Sequence, residues 1–213
     1  MGLFKKLAAQ GRKPSGRFGR FIGKKMNSSH AKIRGWGLSS VSIKPDSYIL
    51  DVGCGGGMAV KEMASFVSKG KVYGIDYSED MVQLSKKIND DLIKQGVVEI
   101  MYGSVSVLPF PDNTFDFVTA IETYYFWPDL VSDFIEIKRV LKPGAFLLLV
   151  HTVYKDERFE KRNSKLVKFL DIKIHTPDEY RGFLSEAGYK IEKIVCLPEK
   201  NWITIVAQKS GDN

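Results

Sequence analysis

The sequence predicts an α/β chain: a three-layer sandwich around a seven-stranded, mostly parallel sheet whose last strand is antiparallel. Three observations predict it. From Tyr48 to Thr152, short apolar β-branched runs alternate with segments of helical spacing, the pattern of a parallel sheet covered on both faces. The first of those runs breaks into a block in which Gly53, Gly55, Gly56 and Gly57 are four of five residues. At the other end, two strand-like runs follow each other with only a short turn between them, which implies a terminal hairpin.

Taken in order, Met26 to Ser42 carries Ile33, Trp36, Leu38 and Val41 at the spacing of a short amphipathic segment that docks on a core. Lys44-Pro-Asp-Ser is a turn. Strand 48–52 leads to helix 58–68. Strand 71–75 leads to a helix that starts at Ser78-Glu-Asp and runs to Gln95, where Gly96 stops it. Strand 97–102, a loop to Asn113 and strand 115–121 follow. Helix 130–141 ends at Lys142-Pro-Gly, and Ala145–Thr152 is the next buried strand. Residues 153–176, with mixed charge and Tyr154, Phe159 and Phe169, do not fit the alternation. Helix 177–187, capped by Thr176 or Asp178, precedes strands 189–197 and 202–208.

The glycine block is where a ligand meets bare backbone, because glycine permits the sharp turn and leaves no Cβ in the way. The dinucleotide fingerprint G-x-G-x-x-G fails, since its third glycine falls on Met58. What is present is G-x-G-x-G at Gly53, Gly55 and Gly57, preceded by Asp51 within the strand. Nineteen residues past Gly57, the next strand ends in Asp76, placed to accept hydrogen bonds from ribose hydroxyls.

Ile49-Leu-Asp-Val-Gly-Cys-Gly-Gly-Gly57 resembles motif I of the class I S-adenosylmethionine-dependent methyltransferases, of the small-molecule, methyltransferase-domain-11 type. Gly74-Ile-Asp-Tyr-Ser-Glu-Asp-Met81, Leu108-Pro-Phe-Pro-Asp-Asn-Thr-Phe-Asp-Phe-Val118 and Arg139-Val-Leu-Lys-Pro-Gly144 match later motifs in order, over roughly half the chain. The resemblance implies a Rossmann-like sheet and S-adenosylmethionine as cofactor, leaving S-adenosylhomocysteine. It also implies cofactor contacts at Asp51, Gly53, Cys54, Gly55, Gly57, Asp76, Tyr77, Met81, Ser104, Val105 and Ile121. Relatives usually carry Asp where this chain has Ser104, which offers the same acceptor to the adenine amino group without the charge. Residues 153–176 follow the fifth strand, where relatives build a substrate wall, and residues 1–45 correspond to an N-terminal helical cap on a 46–213 methyltransferase domain.

Charge adds a second theme. Residues 1–34 hold 10 of the 32 Lys and Arg and no acidic residue, so the rest carries 22 basic against 25 acidic. Leu3, Phe4, Leu7, Phe18, Phe21 and Ile22 are interleaved with those charges. A lid over the cofactor, a grip on anionic lipid, a nucleic-acid arm and plain solvated surface all fit this composition. Met1-Gly2 opens a myristoylation pattern, but Lys6 stands where Ser or Thr is required. No apolar run approaches the roughly 18 residues of a membrane span, and no signal peptide opens the chain, which points to a cytoplasmic protein. Cys54 and Cys196 are too few for a disulfide framework, and the three histidines have no metal-ligand spacing, so no metal is expected.

Methyl transfer from a sulfonium is an in-line displacement that needs alignment and a dry site more than a catalytic triad. A base is required only for a weakly acidic acceptor. Glu122, His30 and Tyr124 are the catalytic candidates, and Tyr125, Trp127 and His151 the acceptor-binding ones. They cluster in Ile121-Glu-Thr-Tyr-Tyr-Phe-Trp127, near the end of the expected lid, and at the end of the fifth strand. The expected function is methyl transfer to a small-molecule acceptor. An RNA or protein methyltransferase that uses the basic arm, a non-catalytic S-adenosylmethionine-binding protein and a nicotinamide oxidoreductase are the alternatives. The first lacks the Asn/Asp-Pro-Pro-aromatic tetrad after the fourth strand.

Overall fold

The computed structural model describes residues 10–211, so the Met1–Lys6 pattern and Leu3, Phe4 and Leu7 lie outside the described residues. Strands β1 (Tyr48–Val52), β2 (Lys71–Asp76), β3 (Val98–Tyr102), β4 (Phe115–Ile121), β5 (Leu141–His151), β6 (Tyr189–Leu197) and β7 (Trp202–Lys209) form one sheet. Their order is β3-β2-β1-β4-β5-β7-β6. The pairs β1–β2, β1–β4, β2–β3 and β4–β5 are parallel, and β7 runs antiparallel to both β5 and β6. This is the Rossmann-like sheet with a reversed last strand. Strand order switches direction between β1 and β4, and the crevice beyond their carboxyl ends is where such sheets take ligands.

Alternation along the strands separates two cores. Leu50, Val52, Leu147, Leu149, Ile203 and Ile205 face one side, against Phe134 and Ile137 of α6 (Leu130–Val140) and Tyr180 and Leu184 of α8 (Pro177–Glu186). Ile49, Leu148, Val150 and Val206 face the other, against Ile33 and Leu38 of α2 (Ala31–Leu38), Val60 and Met63 of α3 (Met58–Ala64) and Val82 of α4 (Glu79–Ile88). Helix α1 (Gly16–Ser29) lies along α4. Gly23 permits this approach, since a Cβ there would stand 2.7 Å from the Met81 sulfur.

Helix ends follow their local chemistry. The Asp129 carboxylate accepts from the amides of Val131 and Ser132, and Thr176 closes a capping box with Glu179. Three sequence boundaries shift. The helix expected over 78–95 is two, α4 and α5 (Asp90–Lys94), because the Asn89 side chain donates to Ser85 O and also to Gly57 O. The expected 58–68 helix is only α3, ending at Ala64. β5 begins at Leu141 rather than Ala145, because Leu141 already pairs with Phe115. Within 153–176 the chain forms a 3-10 turn (Glu157–Phe159) and α7 (Glu160–Leu170).

Phe134 is fully buried between Trp127 and the sheet, and its carbonyl accepts from the Tyr189 hydroxyl (3.0 Å). Phe134→Ala should cost about 3–5 kcal/mol of stability. A urea midpoint unchanged from the unaltered chain would show that this layer does not carry the fold.

Candidate active site

The bend after β1 is the first wall of the site. Gly53, Gly55 and Gly57 have φ of 71°, 51° and 81°, where any side chain is strained. A Cβ at Gly53 would overlap Thr123, and one at Gly57 would overlap Ser85. Gly55 differs: nothing lies within 4 Å of where its Cβ would stand, and it lines the cavity. The amides of Gly53 and Cys54 both donate to Ile75 O, which fastens the bend to β2 (2.8 and 3.0 Å).

Two carboxylates converge here. Asp76, at the tip of β2, accepts from Gly55 N through Oδ2 and from Ser78 N through Oδ1, each 2.8 Å. Burial raises its pKa against the pull of those two bonds. Asp51 is buried beneath the bend and accepts from Thr119 Oγ1 at 2.6 Å. Burial pushes it up to about 7, the Thr119 bond and the Arg34 charge pulling the other way. The same burial, with Asp76 and Asp51 nearby, raises the Cys54 thiol, so Cys54 is no thiolate nucleophile.

The N-terminal helices form the roof. Arg34 reaches Glu62 of α3 through two bonds (2.7 and 2.6 Å) and donates to Asn27 O (3.2 Å). Asn27 in turn donates to Gly56 O (3.2 Å). Before α1, Tyr77 and Ser78 donate to the carbonyls of Arg12 and Pro14, and Gly16 N donates to Asp80 (2.7 Å). Residues Gly11–Pro14 thus lie across the outer end of the crevice. The enclosed space is about 90 Å³, less than the roughly 300–1,000 Å³ of ligand pockets.

A second chamber of about 400 Å³ adjoins the first and shares Gly11, Met26, His30, Glu122 and Phe126 with it. Its walls are otherwise largely apolar: Ile22 from α1, Leu166, Phe169 and Leu170 from α7, and Ile172. At the junction Glu122 is held at φ 58°. Its carboxylate accepts from Thr152 N and from Thr152 Oγ1 (2.8 Å), with His151 Nδ1 at 3.4 Å and His30 Nε2 at 3.8 Å. Burial opposes its charge, but His151, His30 and Thr152 outweigh that and hold the carboxyl below its ordinary value. Val153 N donates to His151 Nδ1 (3.0 Å), and His151 Nε2 is a buried atom without a hydrogen-bond partner among the described residues.

Of the sequence candidates, Asp51, Gly53, Cys54, Gly55, Asp76, Tyr77, Met81 and Ile121 line the first cavity, with His30 and Glu122 at the junction. Gly57 lies just beneath the bend, its carbonyl bonded to Asn89. Tyr125 and His151 line the second chamber, their rings 4.1 Å apart. Burial, then the Glu122 charge, raises the Tyr125 phenol. Tyr124 is packed in the core, edge-on to Tyr180 and His151. Trp127 lies on the far side of that cluster, against Phe134. Ser104 is exposed in the turn after β3 and Val105 packs in the core, so neither lines these two cavities. Sequence reasoning missed Asn27, Arg34 and Thr123, while Phe126, one of the aromatic run after the fourth strand, lines both cavities. Arg34 was one of ten cations in an arm, and nothing in that run marks the one that is buried.

Comparisons with known proteins agree with this geometry. Residues 50–149 match the family model described as "Methyltransferase domain". Over 114 residues the chain is 39% identical to a demethylmenaquinone methyltransferase of Bacillus mycoides, which covers 53% of this chain and 47% of that protein. It is also 39% identical over 104 residues to cycloartenol-C-24-methyltransferase 1 of Oryza sativa, covering 49% and 30%. The chain therefore spans about half the length of the first relative and less of the second. Among solved structures, the fold is similar to a putative methyltransferase crystallised with the Haloferax volcanii Trm112 activator (TM-score 0.79, 20% identity, 99% of both chains). It is similar too to a SAM-dependent methyltransferase of Aquifex aeolicus (TM-score 0.71, 24% identity, 89% and 98%).

Because the folded-state pKa of Asp51 (about 7) lies above its ordinary 3.8, the folded chain binds that proton more tightly than the unfolded one. The stability that Asp51 contributes should fall as pH rises from about 4 to about 7 and level off above. Urea unfolding across that window should show a shallower decline for Asp51→Asn; an identical decline removes Asp51 as its source.

Proposed function

We propose, from the premise that residues 50–149 of this chain belong to the class I methyltransferase domain family, that it methylates an apolar small-molecule acceptor. The donor we infer is S-adenosylmethionine. The residues present suit it: an open glycine bend for the amino-acid end, the Asp51 carboxylate for its ammonium, and Asp76 for the ribose hydroxyls. Tyr77, Met81 and Ile121 supply the remaining walls. When bound, the cofactor supplies a methyl group on a cationic sulfur.

The observation that carries the reading is the junction. Among the described residues, the only acidic side chain common to both chambers is Glu122, and it sits beside His30 where a donor on the bend and an acceptor in the apolar chamber would meet. In this reading His30 takes the proton of an acceptor hydroxyl or acidic C–H as the methyl arrives. Glu122, fixed by Thr152, steadies the resulting imidazolium and holds the ring in place. The apolar walls exclude water and set the acceptor against the junction, which supplies proximity. Ser104 and Val105 lie outside both cavities, so an adenine contact there requires the turn after β3 to move in. In this reading the described part of residues 1–45 serves as the lid: Gly11–Pro14 cross the crevice and lift to admit a nucleoside, while α2 stays anchored by Arg34.

Asp76→Ala should weaken S-adenosylhomocysteine binding about ten- to a hundredfold by calorimetry, since charge-assisted bonds are lost. Unchanged affinity would remove the ribose role. Glu122→Gln and His30→Gln should leave that affinity within about twofold and lower kcat by about a hundredfold or more, the scale of a lost proton acceptor. Full turnover in both variants would leave alignment as the whole mechanism.

A further inference from the structure

We propose that the outward face of α1, together with the adjoining face of α7, docks on an anionic lipid bilayer. Helix α1 is sharply two-sided. Gly19 and Gly23 are buried against the body, and Ile22 and Met26 line the apolar chamber. The opposite side carries Arg17, Phe18, Phe21, Lys24 and Lys25, all exposed, with Phe18 at 52% and Phe21 at 63%. The helix has no acidic residue. Arg20 is taken by Asp80, but among the described residues Arg17, Lys24 and Lys25 are in no ion pair.

Across the chamber, α7 repeats the pattern. Leu166 and Leu170 turn inward, Phe169 lines the chamber while 43% exposed, and Lys161, Lys165 and Lys168 are exposed and in no ion pair among the described residues. The two helices meet at one place, because Ile22 of α1 and Phe169 of α7 are walls of the same chamber. Single exposed apolar residues are ordinary. Three exposed phenylalanines, and six cations in no ion pair among the described residues, on two helices that wall one apolar chamber are not, and they form the pattern of an interfacial helix. Its aromatic rings enter the acyl boundary while Lys and Arg stems reach back to phosphates. Among the described residues no helix is long and apolar enough to cross a membrane, so contact is with the surface. An RNA strand would satisfy the same cations and can stack bases on exposed rings, but it has no use for the apolar walls of Ile22, Leu166 and Leu170 beside them.

Docking concerns the surface alone. Only its use, passing an apolar acceptor from bilayer to chamber, rests on the methyl transfer proposed above.

Flotation of the full chain with vesicles of phosphatidylcholine and phosphatidylglycerol in equal parts tests the docking. Pure phosphatidylcholine vesicles, a single-stranded RNA oligonucleotide and S-adenosylhomocysteine calorimetry on the same preparation complete the set. The expected result is partition onto anionic vesicles only, weakened by salt. The double variants Phe18→Ser/Phe21→Ser and Lys24→Glu/Lys25→Glu should each lower that partition at least about tenfold, with thermal melting and cofactor affinity unchanged. Absence of binding to anionic vesicles overturns the proposal, as does full binding by the serine variant. RNA bound by the chain and lost in the glutamate variant, with vesicles ignored, replaces it with a nucleic-acid surface. Vesicle binding without any affinity for S-adenosylhomocysteine leaves docking standing and sinks the methyltransferase reading instead.

Discussion

Gly55 N–H donates to the Asp76 carboxylate, and through that bond the tips of two parallel strands are held as one surface. Everything at the site is referenced to it. The bond forms only because Gly53 and Gly55 turn the backbone through positive φ and present the amide sideways to β2. Asn89 completes the support from below by donating to Gly57 O, at the cost of interrupting the helix it sits in. A buried carboxylate satisfied by two amides stays oriented while keeping lone pairs for a ligand, a use of desolvation that an exposed Asp does not allow.

The roof is built by a different device. Arg34 is buried, paired on both sides with Glu62, and bonded to the carbonyl of Asn27, the residue that touches Gly56. One guanidinium therefore joins α1, α2 and α3 above the bend. Removing Glu62 would strand the Arg34 charge in a dry place, which is the costly case for a buried pair, whereas Glu62 itself keeps access to water. The consequence is an uneven roof: α2 and the end of α1 are pinned, while the chain before Gly16 is held mostly by backbone carbonyls on Tyr77 and Ser78.

Much of this was legible in the residues and some was not, for physical reasons. The sheet was legible because the central strands β1 and β4 are buried on both faces and the alternation with helices leaves little topological choice; Tyr48–Val52 and Phe115–Ile121 fall where the pattern puts them. The glycine bend and Asp76 were legible because positive φ and a strand-end carboxylate leave local marks. The break at Asn89 was not, since it depends on Gly57, which is 32 residues away in sequence and adjacent only after folding. Arg34 was illegible for the same reason: its neighbours in the sequence are those of a solvated basic arm. The aromatic run after β4 was legible as a cluster but not as a division of labour, with Tyr124 in the core and Tyr125 in the chamber wall.

Met26 at the end of α1, His30 just past it and Phe126 after β4 line both chambers, so one short wall is common to the two. A molecule that draws this wall inward improves the fit of the other, and linkage makes the favour mutual and equal in free energy. The partition between the chambers is thus also the coupling between them, and donor and acceptor should report on each other's presence before any bond is made.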